Sequence, residues 1–307
     1  MSEKLLAKNV LPSGTTLGEG PLWDPQDNVL WWVDIEQGLL NCFDPSQETN
    51  QKYELGQRVG AVVQREKGGL LLALANGFAT FDPRSESLAL LCDPEADLPN
   101  NRFNDGKCDP EGRFWAGTMN VDSLNLSSGA LYSLDPQLRV RKHLSGVNVS
   151  NGIAWSSDAK TMYYIDSLSG SIEAFDYDRQ SGDLSRRRPV FKVPEELGCA
   201  DGMTIDAEDK LWVAFWGGWC VSQIDPANGQ QIAKVELPVA HVTSCAFGGA
   251  DLRDLYITTA DMASTRRRCP SSRKLAICSW LALRLQELPR SSFVDEFCQV
   301  SGQVTLP

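Results

Sequence analysis

The chain has 307 residues, 42% of them hydrophobic and 22% charged, with a formal net charge of −11 and a pI near 4.8. That length and balance describe a folded globular protein with a large core, not a disordered one. The acidic field repels phosphate backbones, so nucleic acid is not expected as a partner, and it suits a metal cation.

No apolar run reaches the roughly 18 residues that a membrane helix needs, so no membrane partner is expected. Residues 1–10 carry two lysines and no apolar stretch leading to a cleavage site, so no secretory signal is read. The nine cysteines include no C-x-x-C spacing and read as free, mostly buried thiols of a reducing, cytoplasmic setting. With two histidines, a three-histidine zinc site and a zincin helix are excluded.

Along the chain one unit recurs. It is a short apolar strand, a turn, a second apolar strand and often a third that ends in an Asp-Pro or Asp-Tyr turn. The copies lie at 21–24, 29–33 and 39–45; at 61–63, 70–74 and 78–83; at 104–109, 113–116 and 130–136. They continue at 152–155, 161–165 and 172–177; at 202–206, 211–214 and 221–226; and at 244–247 with 255–258. Aligned on Trp23, Val63, Cys108, Trp155, Ile205 and Phe247, the steps are 40, 45, 47, 50 and 42 residues. Trp, Tyr, Val and Ile fill the strands, and turn residues bound them. Strand units at this even spacing predict an all-β, six-bladed β-propeller with a central site, in which ring closure hides the sheet edges. A β-sandwich gives no reason for the spacing.

Innermost strands of a propeller run beside the axis, so equivalent residues face one another. Four positions before each anchor stand Glu19, Val59, Asn104, Asn151, Asp201 and Thr243. Two carboxylates, two amides and a threonine form an oxygen-rich ring of the kind Ca²⁺, Mg²⁺ or Mn²⁺ takes. Glycine follows most of them, as in Glu19-Gly20, Asn151-Gly152 and Asp201-Gly202, and is expected to permit a tight turn and leave room for a ligand. Two positions earlier, strand alternation puts Arg102 and His241 on the same side. Arg102 is a candidate for a substrate oxygen or carboxylate. His241 reads first as a hydrogen-bonded structural histidine. The tryptophans Trp31, Trp32, Trp115, Trp212, Trp216 and Trp219 read as packing between blades, with ligand stacking as the alternative. No dinucleotide, Walker, nucleophile-elbow or EF-hand motif occurs.

Five stretches then carry a resemblance. They are Leu17-Gly-Glu-Gly-Pro-Leu-Trp-Asp24, Arg102-Phe-Asn-Asp-Gly-Lys107, Phe114-Trp-Ala-Gly-Thr-Met119, Ser150-Asn-Gly-Ile-Ala-Trp155 and Ala200-Asp-Gly-Met-Thr-Ile-Asp206. In this order they resemble the SMP-30/gluconolactonase/regucalcin family, over about residues 17–260. The resemblance implies a six-bladed propeller with one divalent metal in its channel. It implies Glu19, Asn151 and Asp201 as metal ligands, Asp201 also as catalytic acid/base, and Arg102 and Asn104 as substrate contacts. The implied activity is gluconolactonase-like, metal-dependent hydrolysis of a sugar lactone to the aldonic acid. Ca²⁺ is the first candidate ion, with Zn²⁺, Mn²⁺ and Mg²⁺ as alternatives. The runner-up is a non-enzymatic, calcium-binding regucalcin-like protein, and a propeller interaction module is a third class.

Two departures stand out. Some relatives carry a substrate-contacting Glu two residues after the position of Met119, where this chain has Val121 beside Asp122. The second is residues 262–307, which hold seven Lys/Arg against three Asp/Glu, a net of +4, leaving −15 on residues 1–261. The division expected is therefore a propeller over 1–261 and an atypical basic tail over 262–307. Residues 275–285 are expected to be able to supply a closing strand.

Overall fold

The computed structural model describes residues 8–261, together with the backbone pairing of Leu5–Leu6 and Phe297–Cys298. The expected strand at 275–285 lies outside the described residues.

Short apolar runs separated by tight turns can only pair with the strand they have just left, and they fold here as antiparallel meanders. Blade 1 comprises Gly18–Asp24, Val29–Asp34, Leu39–Asp44 and Thr49–Glu54. Blade 2 comprises Val59–Arg65, Leu70–Leu74, Gly77–Asp82 and Ser87–Cys92. Blade 3 comprises Asn101–Cys108, Phe114–Asn120, Gly129–Leu134 and Val140–Val147. Blade 4 comprises Ser150–Trp155, Thr161–Asp166, Ser171–Tyr177 and Leu184–Lys192. Blade 5 comprises Cys199–Ile205, Leu211–Trp216, Cys220–Asp225 and Gln230–Glu236. Strand order follows the sequence in every blade. Aspartates shape the turns: Asp24, Asp44 and Asp225 accept from backbone N–H groups two or three residues on, which is the Asx turn that the Asp-rich punctuation predicts.

The architecture is an all-β propeller, and the expectation of six blades is corrected to five. After blade 5 comes a sheet of only two strands, Val242–Gly248 and Asp254–Thr259. The repeat is aligned on one residue of the first strand in each unit, and the sixth copy has that strand and the second. A blade also needs a third and a fourth strand, and the sixth copy has neither among the described residues. Its inner strand still takes its place beside those of blades 5 and 1. Leu17 bridges Ala260, and the Thr243 hydroxyl donates to the Gly18 carbonyl at 2.6 Å, joining the last repeat to the first.

The core lies between sheets. Trp31 and Val33 meet Val62 and Leu72; Phe78 meets Phe103; Trp115 meets Ile153 and Tyr164. Ile165 meets Met203, Trp212 meets Phe247, and Trp23 and Trp32 meet Tyr256. Trp31, Trp32, Trp115 and Trp212 are thus taken up by packing between sheets. Trp216 instead stacks on His241 with ring centroids 4.1 Å apart, and Trp219 is 47% exposed. Among the described residues no helix is long and apolar enough to cross a membrane.

Candidate metal and substrate site

All six inner strands lose register with their second strands at one level. The breaks fall between Glu19 and Leu22, Val59 and Ala61, and Phe103 and Asp105. They recur between Asn151 and Ile153, Ala200 and Met203, and Val242 and Ser244. A bulge bends its strand and re-aims the side chain at the break. The residues at these breaks are Glu19, Val59, Asn104, Asn151, Asp201 and Thr243, the ring read from the repeat.

The glycines after them serve the neighbouring strand. A Cβ on Gly60 would stand 2.6 Å from the Phe103 carbonyl oxygen, and one on Gly152 would stand 2.8 Å from the Asp201 carbonyl oxygen. At Gly60, Gly152 and Gly202 the room is filled by the next inner strand and not held open for a ligand, whereas at Gly20 the nearest atom, Gly60 O, lies 3.6 Å from an added Cβ. Close approach of those backbones is what draws the ring tight.

Inside the ring the polar side chains connect. Arg102 Nη1 donates to Asn104 Oδ1 at 2.7 Å, and Asn104 Nδ2 donates to the Ser150 carbonyl at 2.9 Å and to Asn151 Oδ1 at 3.3 Å. Asn151 Nδ2 donates to Ser167 Oγ at 2.8 Å, and that hydroxyl donates to the Ala200 carbonyl at 2.6 Å. Ser167 thereby anchors the amide nitrogen of Asn151, while its oxygen faces Asn104. Glu19, Asn104, Asn151, Asp201 and Arg102 are all buried. Val59 is apolar, and Thr243 is bound to Gly18 and Thr258, so both stand outside the polar network.

The electrostatics are unfavourable as they stand. Burial raises the Glu19 carboxyl well above the usual range, and the charges of Asp201 and Asp105 raise it further, against a backbone bond from Gly20 and the charge of Arg102. Burial likewise raises Asp201, with Asp105 adding to it, against hydrogen bonds from Asn151 and Gly202. Burial pushes Asp105 up to about 6. Among the described residues no lysine or arginine is bonded to the Glu19 or Asp201 carboxylates. Among the described residues no group of three or more His, Cys, Asp and Glu could hold a metal by itself. With the Asn151 amide added, the donors are three hard oxygens carrying two charges, and that set fits a divalent cation.

The family model described as "SMP-30/Gluconolactonase/LRE-like region" matches residues 17–261. The chain belongs to this family. Its match ends where the basic stretch begins. Regucalcin of Xenopus laevis is 44% identical over 248 residues, covering 80% of this chain and 83% of that protein. A solved luciferin-regenerating enzyme superposes with a TM-score of 0.84 at 31% identity, covering 93% of this chain and 96% of the other. A calcium-binding regucalcin from Agrobacterium tumefaciens gives a TM-score of 0.81 at 27% identity, covering 87% and 90%.

In this family member some neighbours of the ring escape the repeat analysis. Ser167, which orients Asn151, opens a short 3-10 helix, Ser167–Ser169, outside the repeat positions. Asp105 belongs to the ring's charge balance but lies one residue off the repeat position. Its motif, Asn104-Asp105-Gly106, was the available signal. His241 does not join the carboxylates: it stacks on Trp216, and its Nδ1 is buried without a partner. Val121 is 37% exposed on the loop after Phe114–Asn120.

Proposed function

We propose that this protein is a divalent-metal-dependent lactonase of the cytoplasm that opens a sugar lactone to the aldonic acid. One observation carries the reading. Glu19, Asn151 and Asp201 are aimed at one axis by three separate bulges, and the Arg102–Asn104 pair is bonded directly to that set. An interaction module has no use for that buried charge. A non-catalytic calcium binder needs the three oxygen donors but not the paired guanidinium and amide.

A divalent ion held by Glu19, Asn151 and Asp201, Ca²⁺ first and Zn²⁺, Mn²⁺ or Mg²⁺ as alternatives, supplies Lewis-acid polarisation of the lactone carbonyl. The chain's residues do the rest. Asp201 accepts the proton of the attacking water and returns it to the departing ring oxygen, which leaves as a hydroxyl. Ser167 and Asn104 hold the Asn151 amide in one orientation. Arg102 and Asn104 bind sugar oxygens and fix the line of attack, which converts an encounter into an oriented reaction. A panel of lactones, run with metal-stripped and reconstituted protein, tests the proposal. Activity should vanish on chelation and return with the ion. Full activity in protein shown to be metal-free overturns it.

A further inference from the structure

Next to Arg102 stands a second guanidinium, Arg58, that the lactonase chemistry does not use. Arg102 is only 6% exposed; its Nη1 donates to Phe103 O and Asn104 Oδ1, while its Nε is buried with no partner. Beside it lies an ion pair between Glu36, in the loop after Val29–Asp34, and Arg58, one residue before Val59–Arg65. Both charges are felt at Arg102, Glu36 favouring its positive charge and Arg58 opposing it.

The Glu36–Arg58 pair is incomplete. Arg58 Nε and Nη2 both donate to the same oxygen, Glu36 Oε2, at 3.1 and 2.7 Å. A full guanidinium–carboxylate fork uses two oxygens, and the shared single oxygen is the weaker arrangement. The two side chains are 42% and 29% exposed, so water and solutes reach them. Gly60, two residues after Arg58, abuts the carbonyl of Phe103, next to Arg102, so the two arginines stand at the start of neighbouring inner strands, one with an orphaned N–H and one in a replaceable contact. Val121, on the loop just after the strand that pairs with Arg102, adds no negative charge there.

We propose that this is an anion subsite, and that the lactone opened here carries a carboxylate or a phosphate. The anion displaces Glu36 from Arg58, takes both fork nitrogens and meets the unpartnered edge of Arg102. This rests on the lactonase reading and narrows its substrate class.

The test compares D-glucono-1,5-lactone with its 6-phosphate and with a glucaric acid lactone, using the metal-loaded full chain. The expected kcat/KM for one anionic lactone exceeds that for the neutral one by roughly tenfold or more, the scale of a charge-assisted fork. Arg58→Gln should lower that ratio about tenfold, Arg58→Lys should give an intermediate ratio, and Glu36→Gln should raise it. The phosphate and carboxylate arms show which anion is meant. A wild-type ratio of one or below, or a ratio unchanged in Arg58→Gln, overturns the proposal. If no lactone is opened, the lactonase reading has failed. Calorimetry with gluconate, 6-phosphogluconate and glucarate then reads the same ratio from binding. An Arg58-dependent preference for the more anionic acids upholds the subsite, and equal binding overturns it.

Discussion

The inner strands of blades 3 and 5 carry buried aspartates at or near both ends, and the two ends could hardly differ more. At the turn end, Asp109 accepts from Glu111 N, Arg113 N, Arg113 Nη1, Trp115 Nε1 and Tyr177 OH. Asp206 accepts from Glu208 N, Lys210 N, Trp212 Nε1 and Gln223 Nε2. Every lone pair there has a donor, and the tryptophan bonds tie strand to turn. At the ring end, Asp105 and Asp201 are just as buried but have few donors, and they face Glu19. One residue type thus holds the fold at one end of a strand and remains uncompensated at the other. The lesson is that burial alone does not mark a site; burial without enough donors does.

That contrast can be broken most sharply at Asp109. Asp109→Ala leaves buried Trp115 Nε1 and Tyr177 OH, and the half-buried Arg113, without their shared acceptor and should cost about 3–5 kcal/mol of stability by denaturant melts, while activity per folded molecule persists. A loss below about 1 kcal/mol would mean that water replaces the carboxylate at no great penalty. Asp201→Asn is expected to act in the opposite sense. It relieves a repelled charge, so the metal-free protein should melt higher, yet turnover should fall on the order of 10²-fold or more, the usual worth of a general base. Glu19→Gln should weaken metal binding, with activity largely regained at high metal concentration. If excess metal rescues Asp201→Asn equally, Asp201 is a ligand only.

Metal addition sharpens the same contrast, because only the ring end gains. An ion at about a hundred times its Kd should stabilise the wild type by about 2.7 kcal/mol. Asp109→Ala should keep that increment, and Asp201→Ala should lose it. A smaller effect is expected for Arg102→Ala, roughly tenfold in lactone turnover with metal affinity nearly intact by calorimetry, since arginine donates hydrogen bonds and does not ligate cations. A large loss of metal affinity would mean that Arg102 holds the ring together.

The smallest expected effect concerns His143, which stacks on Trp115 with ring centroids 4.0 Å apart and is hydrogen-bonded to Ser133. Burial pushes its imidazole down to about 4, with Arg141 and Arg113 adding to that. A folded value below the unfolded one, near 6.5, means that protons favour the unfolded chain. The contribution of His143 is complete above that pH and declines as pH falls toward 4. The ring carboxylates have raised values, so in metal-free protein they pull the other way. Melting temperatures of wild type and His143→Gln across that range separate the two, and parallel curves would remove His143 from the account.

The sequence by itself determined the strands, the repeat and the ring. Apolar alternation and Asp turns act over a few residues, and equivalent positions in a closed repeat must face one axis, so Glu19, Asn104, Asn151 and Asp201 were legible without coordinates. Family motifs added roles to them. Only the tertiary structure decided what depends on neighbours far along the chain. The blade count was one such matter, since the first two strands of the sixth copy say nothing about its third and fourth. The glycines were another: Gly152 and Gly202 read as making room for a ligand, but the next inner strand fills the space. Ser167 on Asn151, Asp105 in the charge balance and Glu36 beside Arg58 follow no repeat register. Their meaning comes from burial and from charges brought together across blades, and a linear pattern carries neither.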